Sequence, residues 1–246
     1  MENKILTPTE TIELPSKGLI YPDSNPLSSG KIEMKYMTAK EEDILTNANY
    51  INKGIVIDEL IKSLIVSNVK YEDLIIGDKN ALIVAARILG YGKDYTFTYD
   101  GEEYTIDLST VDNKPLKEEL YTKGVNEFSF TLPTTGVSVT FKLLTSHDEK
   151  KINTELEGIK KINKNISSEM STRLKHLITS VNGDKDPKTV REFVDTQLLA
   201  RDSKALREYV KEVQPDVDLT FFPYEDDEKA TIPIGLDFFW PASWDR

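Results

Sequence analysis

The sequence predicts an α+β fold built as two related lobes, and three observations carry that prediction. Short strands, helices with one apolar face and a closing hairpin follow one another in a fixed order. That order runs through the chain twice. Four blocks of the first half also recur, in sequence, in the second.

The first block is Glu13-Leu14-Pro15-Ser16-Lys17-Gly18, which returns as Thr131-Leu132-Pro133-Thr134-Thr135-Gly136. Ile32–Thr38 lines up with Val139–Thr145, and Glu42 with Glu149. Asp78-Lys79-Asn80-Ala81-Leu82 corresponds to Asp202-Ser203-Lys204-Ala205-Leu206. Asp94-Tyr95-Thr96-Phe97 corresponds to Asp218-Leu219-Thr220-Phe221 at the same offset. The repeats run over about 10–113 and 128–240, giving a first lobe of residues 1–127 and a second of 128–246.

In each lobe a strand opens the unit (Thr11–Leu14; Glu127–Leu132) and ends at a Pro-x-x-Gly turn, where glycine supplies the backbone freedom. A second strand follows, Lys31–Tyr36 or Ser138–Leu143. Lobe 1 alone carries a Pro- and Ser-rich insertion, 19–30, expected to decorate the surface. Thr38 with Glu41 makes a capping box, which starts a helix at Ala39. Further helices are expected over Ile55–Ser67, with Ile57, Leu60, Ile61, Leu64 and Ile65 on one face, and over Asn80–Leu89, stopped by Gly90 and Gly92. Lobe 2 should hold helices at Asp148–Ile166, with Leu156, Ile159, Ile162 and Ile166 inward, and at Ser168–Ser180, with Leu174, Leu177, Ile178 and Val181 inward. Asp186 caps a helix whose first residue is Pro187, and Lys204–Val213 forms the last. Hairpins close both lobes: Tyr95–Tyr99 with Glu103–Leu108 about Asp100-Gly101, and Val217–Phe222 with Ala230–Phe238 about an acidic turn.

Composition narrows the function. Hydrophobic residues at 39% and charged residues at 30% suit a soluble globular chain. No apolar run approaches membrane-span length, and Met1-Glu2-Asn3-Lys4 opens a polar segment without a signal-peptide pattern. Cysteine is absent, which removes disulfides, thiolate nucleophiles and cysteine zinc sites. A net charge of −11 disfavours a nucleic-acid partner, and Lys160-Lys161-Ile162-Asn163-Lys164 reads as a solvated helix face.

The chemical motifs have plainer explanations. His147 lies in Thr145-Ser146-His147-Asp148, a helix start, and neighbours along a chain cannot form a catalytic triad. His176 has no spaced metal-ligand partner and belongs to a helix surface or boundary. Leu132-Pro133-Thr134-Thr135-Gly136 looks like a cell-wall sorting signal, but its duplicate at Leu14–Gly18 marks a structural turn. Gly90-Tyr91-Gly92 follows a helix, not a strand, so it is no dinucleotide loop. Asn182-Gly183-Asp184-Lys185-Asp186 lacks the bidentate glutamate of a calcium loop. The expectation is therefore no enzyme, no catalytic residue, no cofactor and no metal.

The C-terminal segment stands out. Phe238, Phe239, Trp240 and Trp244 crowd into seven residues where chain ends are usually polar. Phe238 and Trp240 are expected to fold back into lobe 2. Trp244 is expected to dock a partner, as large aromatics anchor interfaces. The candidate partner-binding residues are Leu19, Ile20 and Tyr21 in the insertion, with Phe239, Trp240 and Trp244.

These residues also carry a resemblance. Leu14-Pro15-Ser16-Lys17-Gly18-Leu19-Ile20-Tyr21, Leu27-Ser28-Ser29-Gly30 and Met37-Thr38-Ala39-Lys40-Glu41-Glu42-Asp43-Ile44-Leu45 resemble the baseplate hub and hub-assembly proteins of T-even-type contractile-tailed bacteriophages. Gly54-x-x-Ile57-Asp58-x-Leu60, the run from Gly77-Asp78-Lys79-Asn80 to Ala85-Ala86-Arg87-Ile88-Leu89-Gly90-Tyr91-Gly92, and Ile232–Pro241 are similar to that family too, so the likeness spans nearly the whole chain. Many relatives carry Cys-Pro-x-Cys pairs in the hairpins, which suggests zinc ribbons. Here Thr98-Tyr99-Asp100-Gly101 and Pro223-Tyr224-Glu225-Asp226 stand instead, so no metal is carried over and packing alone must hold the hairpins.

The resemblance implies a late, virion-assembly role: a scaffold or chaperone that shields or orients a hub subunit of the tail until its partners arrive, buried contacts of about 1,600 Å² being typical. The expected partners are other tail and baseplate hub proteins, with no nucleic acid and no membrane, in the host cytoplasm during phage assembly. A permanent hub or adapter subunit of the virion baseplate is the alternative. A hydrolase acting on host components and an acidic DNA mimic are the rivals from other classes. The oligomeric state is left open.

Overall fold

The computed structural model describes residues 7–162, 168–223 and 229–240. The fold is α+β, with small antiparallel sheets among helices. In lobe 1, β1 (Thr9–Glu13) pairs with β2 (Lys31–Lys35), setting Ile12 opposite Ile32. The helices α1 (Ala39–Leu45), α2 (Ala48–Asn52), α3 (Val56–Leu64) and α4 (Ile76–Tyr91) follow, and the hairpin of β3 (Asp94–Tyr99) and β4 (Glu102–Asp107) closes the lobe. In lobe 2, β5 (Phe128–Thr131) and β6 (Ser138–Phe141) precede α5 (Ser146–Ile162), α6 (Glu169–Leu177), β7 (Ile178–Val181), α7 (Pro187–Thr196) and α8 (Ala200–Val213). The short pair β8 (Thr220–Phe221) and β9 (Ala230–Thr231) ends it.

Local chemistry sets several boundaries where the sequence placed them. Helix α1 starts at Ala39 because Glu41 reaches back to accept the Thr38 N–H at 3.0 Å and its hydroxyl at 2.6 Å. Asp186 accepts the Lys188 N–H, with Pro187 at the first helical position.

Elsewhere the structure corrects the expectation. Ile178–Val181 is a strand rather than the end of α6, because it completes a three-stranded sheet against β6. Lobe 1 keeps a remnant of the same strand: Ile65 bridges Met34 just after α3. The second hairpin is much shorter than expected, and Leu236–Phe239 forms a 3-10 turn. Helix α5 packs through Ile152 near its start, whereas Ile162 is 90% exposed; Ile166 and the turn 224–228 lie outside the described residues. Helix α4 runs through Gly90, where an added Cβ would press on the Met37 side chain, and stops at Gly92.

The insertion is not surface decoration. Ile20, Tyr21 and Leu27 are buried, and Gly124 donates its N–H to the Leu19 carbonyl, tying the insertion to the inter-lobe linker. A single hydrophobic cluster runs through both lobes. At their seam Gly77 lies so close to Pro215 that an added Cβ would sit 1.7 Å from its carbonyl oxygen. Gly77→Ala is therefore expected to cost about 1–3 kcal/mol in urea unfolding through overpacking. A variant as stable as the parent would show that the seam yields freely.

The hairpins hold each other by stacked aromatic edges. Phe97 and Phe221, counterparts in the repeat, meet edge to face at 5.1 Å. Tyr104 donates its hydroxyl to the Pro223 carbonyl, and Tyr95 meets Phe238 edge to face at 4.7 Å.

Candidate interaction surface

Two devices occur once per lobe, at positions the repeats pair. In lobe 1 the buried Asp78, on the first turn of α4, accepts the Ser16 N–H at 2.9 Å and the Ser16 hydroxyl at 2.7 Å. In lobe 2 the buried Asp202, on the first turn of α8, accepts the Thr134 and Thr135 N–H groups at 2.8 and 3.2 Å and the Thr135 hydroxyl at 2.9 Å. Each aspartate thus latches a helix start onto the Leu-Pro-x-x-Gly turn of its own lobe.

The second device is a lysine–carboxylate clasp. Lys35 reaches Glu41 at 2.8 Å, and Lys142 reaches Asp148 at 2.7 Å, where Asp148 also accepts the Thr145 N–H and hydroxyl. Burial opposes the charge on both acids, but the lysine and threonine donors outweigh it and hold both carboxyls below the usual range.

The latches differ in one respect. In lobe 1 the insertion adds Tyr21, whose hydroxyl donates to Asp78 at 2.6 Å and accepts the Ile75 N–H at 3.1 Å. Burial is the main force on Asp78 and pushes its carboxyl up to about 6, against the donors that favour its charge. Burial likewise pushes the Tyr21 phenol well up, aided by the Asp78 charge. Burial also works against Asp202, yet the donors of Thr134 and Thr135 prevail and hold it below the usual carboxylate range.

An open groove of about 720 Å³ lies where the insertion faces lobe 2, between Tyr21 and Pro22 on one side and Lys142, His147 and Lys151 on the other. A neighbouring one of about 480 Å³ brings His147 and His176 to one wall with Glu155. Arg191 forks onto Glu155 at 2.8 and 3.0 Å, and together with His176, at 2.9 Å, it holds that carboxyl at about 2. So acidic a group is a poor proton acceptor near neutrality. In the turn after β7, Asp184 accepts the Asp186 N–H and the Thr189 hydroxyl. Among the described residues no three His, Asp or Glu gather at metal-binding distance.

A third groove, about 450 Å³, is more apolar. Leu144, Met170, Leu174 and Leu177 line it between Arg173 and Arg207. Met170 is 54% exposed. Sequence reasoning missed this groove, although Met170, Leu174 and Leu177 share one helical face.

No family model, curated protein or solved structure matches this chain. Residue placement on the surface is therefore the direct guide to what it can touch.

Of the proposed partner-binding residues, Ile20, Tyr21 and Phe239 are buried within the chain. Residues that already fill the chain's own core offer no surface to a partner, so these three act in holding the fold. Leu19 is half-buried, and Trp240 is half-buried against the core, as Phe238 is buried in it. Phe238 packs on Tyr95 of lobe 1 rather than within lobe 2 alone. Trp244 lies outside the described residues. Among the described residues no helix is long and apolar enough to cross a membrane.

Proposed function

We propose that the protein works by protein–protein contact as an assembly factor of the baseplate hub of a contractile-tailed phage. One observation supports the reading beside the resemblance: several of the residues that bear the resemblance are taken up in holding the fold. Ser16, Tyr21 and Asp78 form the latch, Thr38 and Glu41 the cap, and Phe238 and Phe239 the core. What remains for function is the surface. The apolar groove with Met170 at its rim suits a partner's nonpolar side chains, and flexible methionine adapts to such contacts.

The test is co-purification of a tagged chain with the other tail gene products during infection. Enrichment of hub proteins, reduced at least tenfold by Met170→Glu, is the expected result. A pull-down holding no tail protein, or one unchanged by Met170→Glu, would overturn the reading or its groove respectively. Mass spectrometry of purified particles then separates an assembly factor, absent or scarce there, from a permanent adapter at fixed copy number.

A further inference from the structure

The two lobes treat one helix face in opposite ways. Helices α3 and α6 are both nine residues long. Each runs straight into a residue paired with the second strand of its lobe, Ile65 with Met34 and Ile178 with Phe141. Met34 and Phe141 are counterparts in the repeat, which sets the two helices in register: Val56 with Glu169, Ile57 with Met170, Ile61 with Leu174 and Leu64 with Leu177. One residue past the block that begins at Asp78 and Asp202, Ile83 corresponds to Arg207.

In lobe 1 this face is sealed by the chain itself. Val56, Ile61, Leu64 and Ile83 are buried. Helix α1 stops at Leu45, Asn47 caps the start of α2 with its side chain, and α2 packs on both α1 and α3. In lobe 2 the corresponding helix does not break. Helix α5 runs on to Ile162, and among the described residues no helix takes the place of α2. The face of α6 is left as the apolar groove of about 450 Å³, with Met170 exposed and with Glu169 and Arg207 standing where lobe 1 has buried aliphatic residues.

The charges at this groove are unequally committed. Arg173 forks onto Glu149 at 2.6 and 3.0 Å and reaches Glu169 at 3.3 Å. Glu149 and Glu169 are thus both answered within the chain. Arg207 is exposed, uses only its Nε, on the Ser203 carbonyl at 3.3 Å, and has no ion pair among the described residues. A guanidinium whose terminal nitrogens can fork onto a carboxylate is therefore left over beside an apolar surface.

We propose that this groove takes an amphipathic helix of a partner protein, apolar on the side that faces α6 and carrying a carboxylate that Arg207 grips. A helix suits the place because the open surface is itself a helical stripe. Met170, Leu174 and Leu177 fall at i, i+4 and i+7, and the side-chain ridges of one helix pack into the grooves of another. The partner supplies from outside a cover that lobe 1 draws from its own chain. The proposal rests on the reading of this groove as the contact surface and adds the shape and charge of what fills it.

The test is fluorescence anisotropy on the full chain with two labelled helical peptides of about 15 residues. Both carry leucines at the same helical spacing, and their polar faces carry glutamates in one and lysines in the other. The parent is expected to bind the glutamate peptide at least tenfold more tightly than the lysine peptide, against its own net charge of −11. Arg207→Glu should abolish or reverse that preference, and Met170→Glu should weaken the glutamate peptide at least tenfold. Both substituted residues are exposed, so the fold is expected to survive either change. A parent that binds neither peptide or prefers the lysine one, or a preference for glutamate that survives Arg207→Glu, would overturn the proposal. So would a dimer in sedimentation velocity that Met170→Glu breaks, since a second copy would then fill the groove. No tail protein enters these measurements, so their failure is distinct from a failure of the co-purification that tests the tail-assembly reading.

Discussion

Replacing Asp78 with asparagine is expected to remove a large pH-dependent contribution to stability between about pH 4 and pH 6. The carboxyl of Asp78 is raised to about 6 in the folded chain, chiefly by burial, against an unfolded value of about 3.9. Folding therefore favours its protonated form. The stabilisation is fully present below the unfolded value and is lost as pH rises through the folded one. Two pKa units correspond to about 3 kcal/mol. Denaturant unfolding of parent and Asp78→Asn at pH 4 and pH 7 should thus differ in slope, the parent losing about 3 kcal/mol more over that interval. Parallel profiles would mean that the Ser16–Asp78–Tyr21 latch is solvated in solution. Asp78→Ala has a different signature. It strands the Ser16 N–H and the Tyr21 hydroxyl in the interior, where each lost partner costs about 1–3 kcal/mol at any pH.

The second large effect is expected at Phe238. Its ring is fully buried, packing against Tyr95 at 4.7 Å and Phe239 at 5.6 Å. Phe238→Ala should cost about 3–5 kcal/mol. The loss should reach both lobes, because Tyr95 belongs to the first hairpin and, through Phe97, touches Phe221 of the second. Near-UV circular dichroism reads this directly, since the tyrosines of β3 and β4 would lose their fixed surroundings. A cost under about 1 kcal/mol would show that the ring sits in a loosely packed site.

What could be read from the sequence was what is fixed by neighbours along the chain. Thr38 and Glu41 announce the start of α1, Asp186-Pro187 that of α7, and Asp100-Gly101 the turn between β3 and β4. The two latches and the two clasps join similar residues at places that the recurring blocks pair, Asp78 and Asp202 with hydroxyl residues and Lys35 and Lys142 with carboxylates. What escaped depends on partners far away in the chain. Ile178–Val181 continues an apolar helical period, yet β6 offers it an edge to pair with. Ile20 and Tyr21 have the look of an exposed aromatic loop, but Asp78 and the Ile75 amide, more than fifty residues on, draw Tyr21 inside. Ile162 fits the inward stripe of its helix, but α5 outruns the body it packs on.

The meeting of Tyr95 with Phe238 also sets a timetable. A nascent chain leaves the ribosome from its N-terminus, so the first hairpin emerges while more than a hundred residues remain to be made. Its aromatic face must stay bare in the crowded cell until Phe221 and Phe238 clear the exit tunnel. Completion of the first half is thereby deferred until the second hairpin and Phe238 have been made, and a product truncated before them would leave that greasy face open to aggregation.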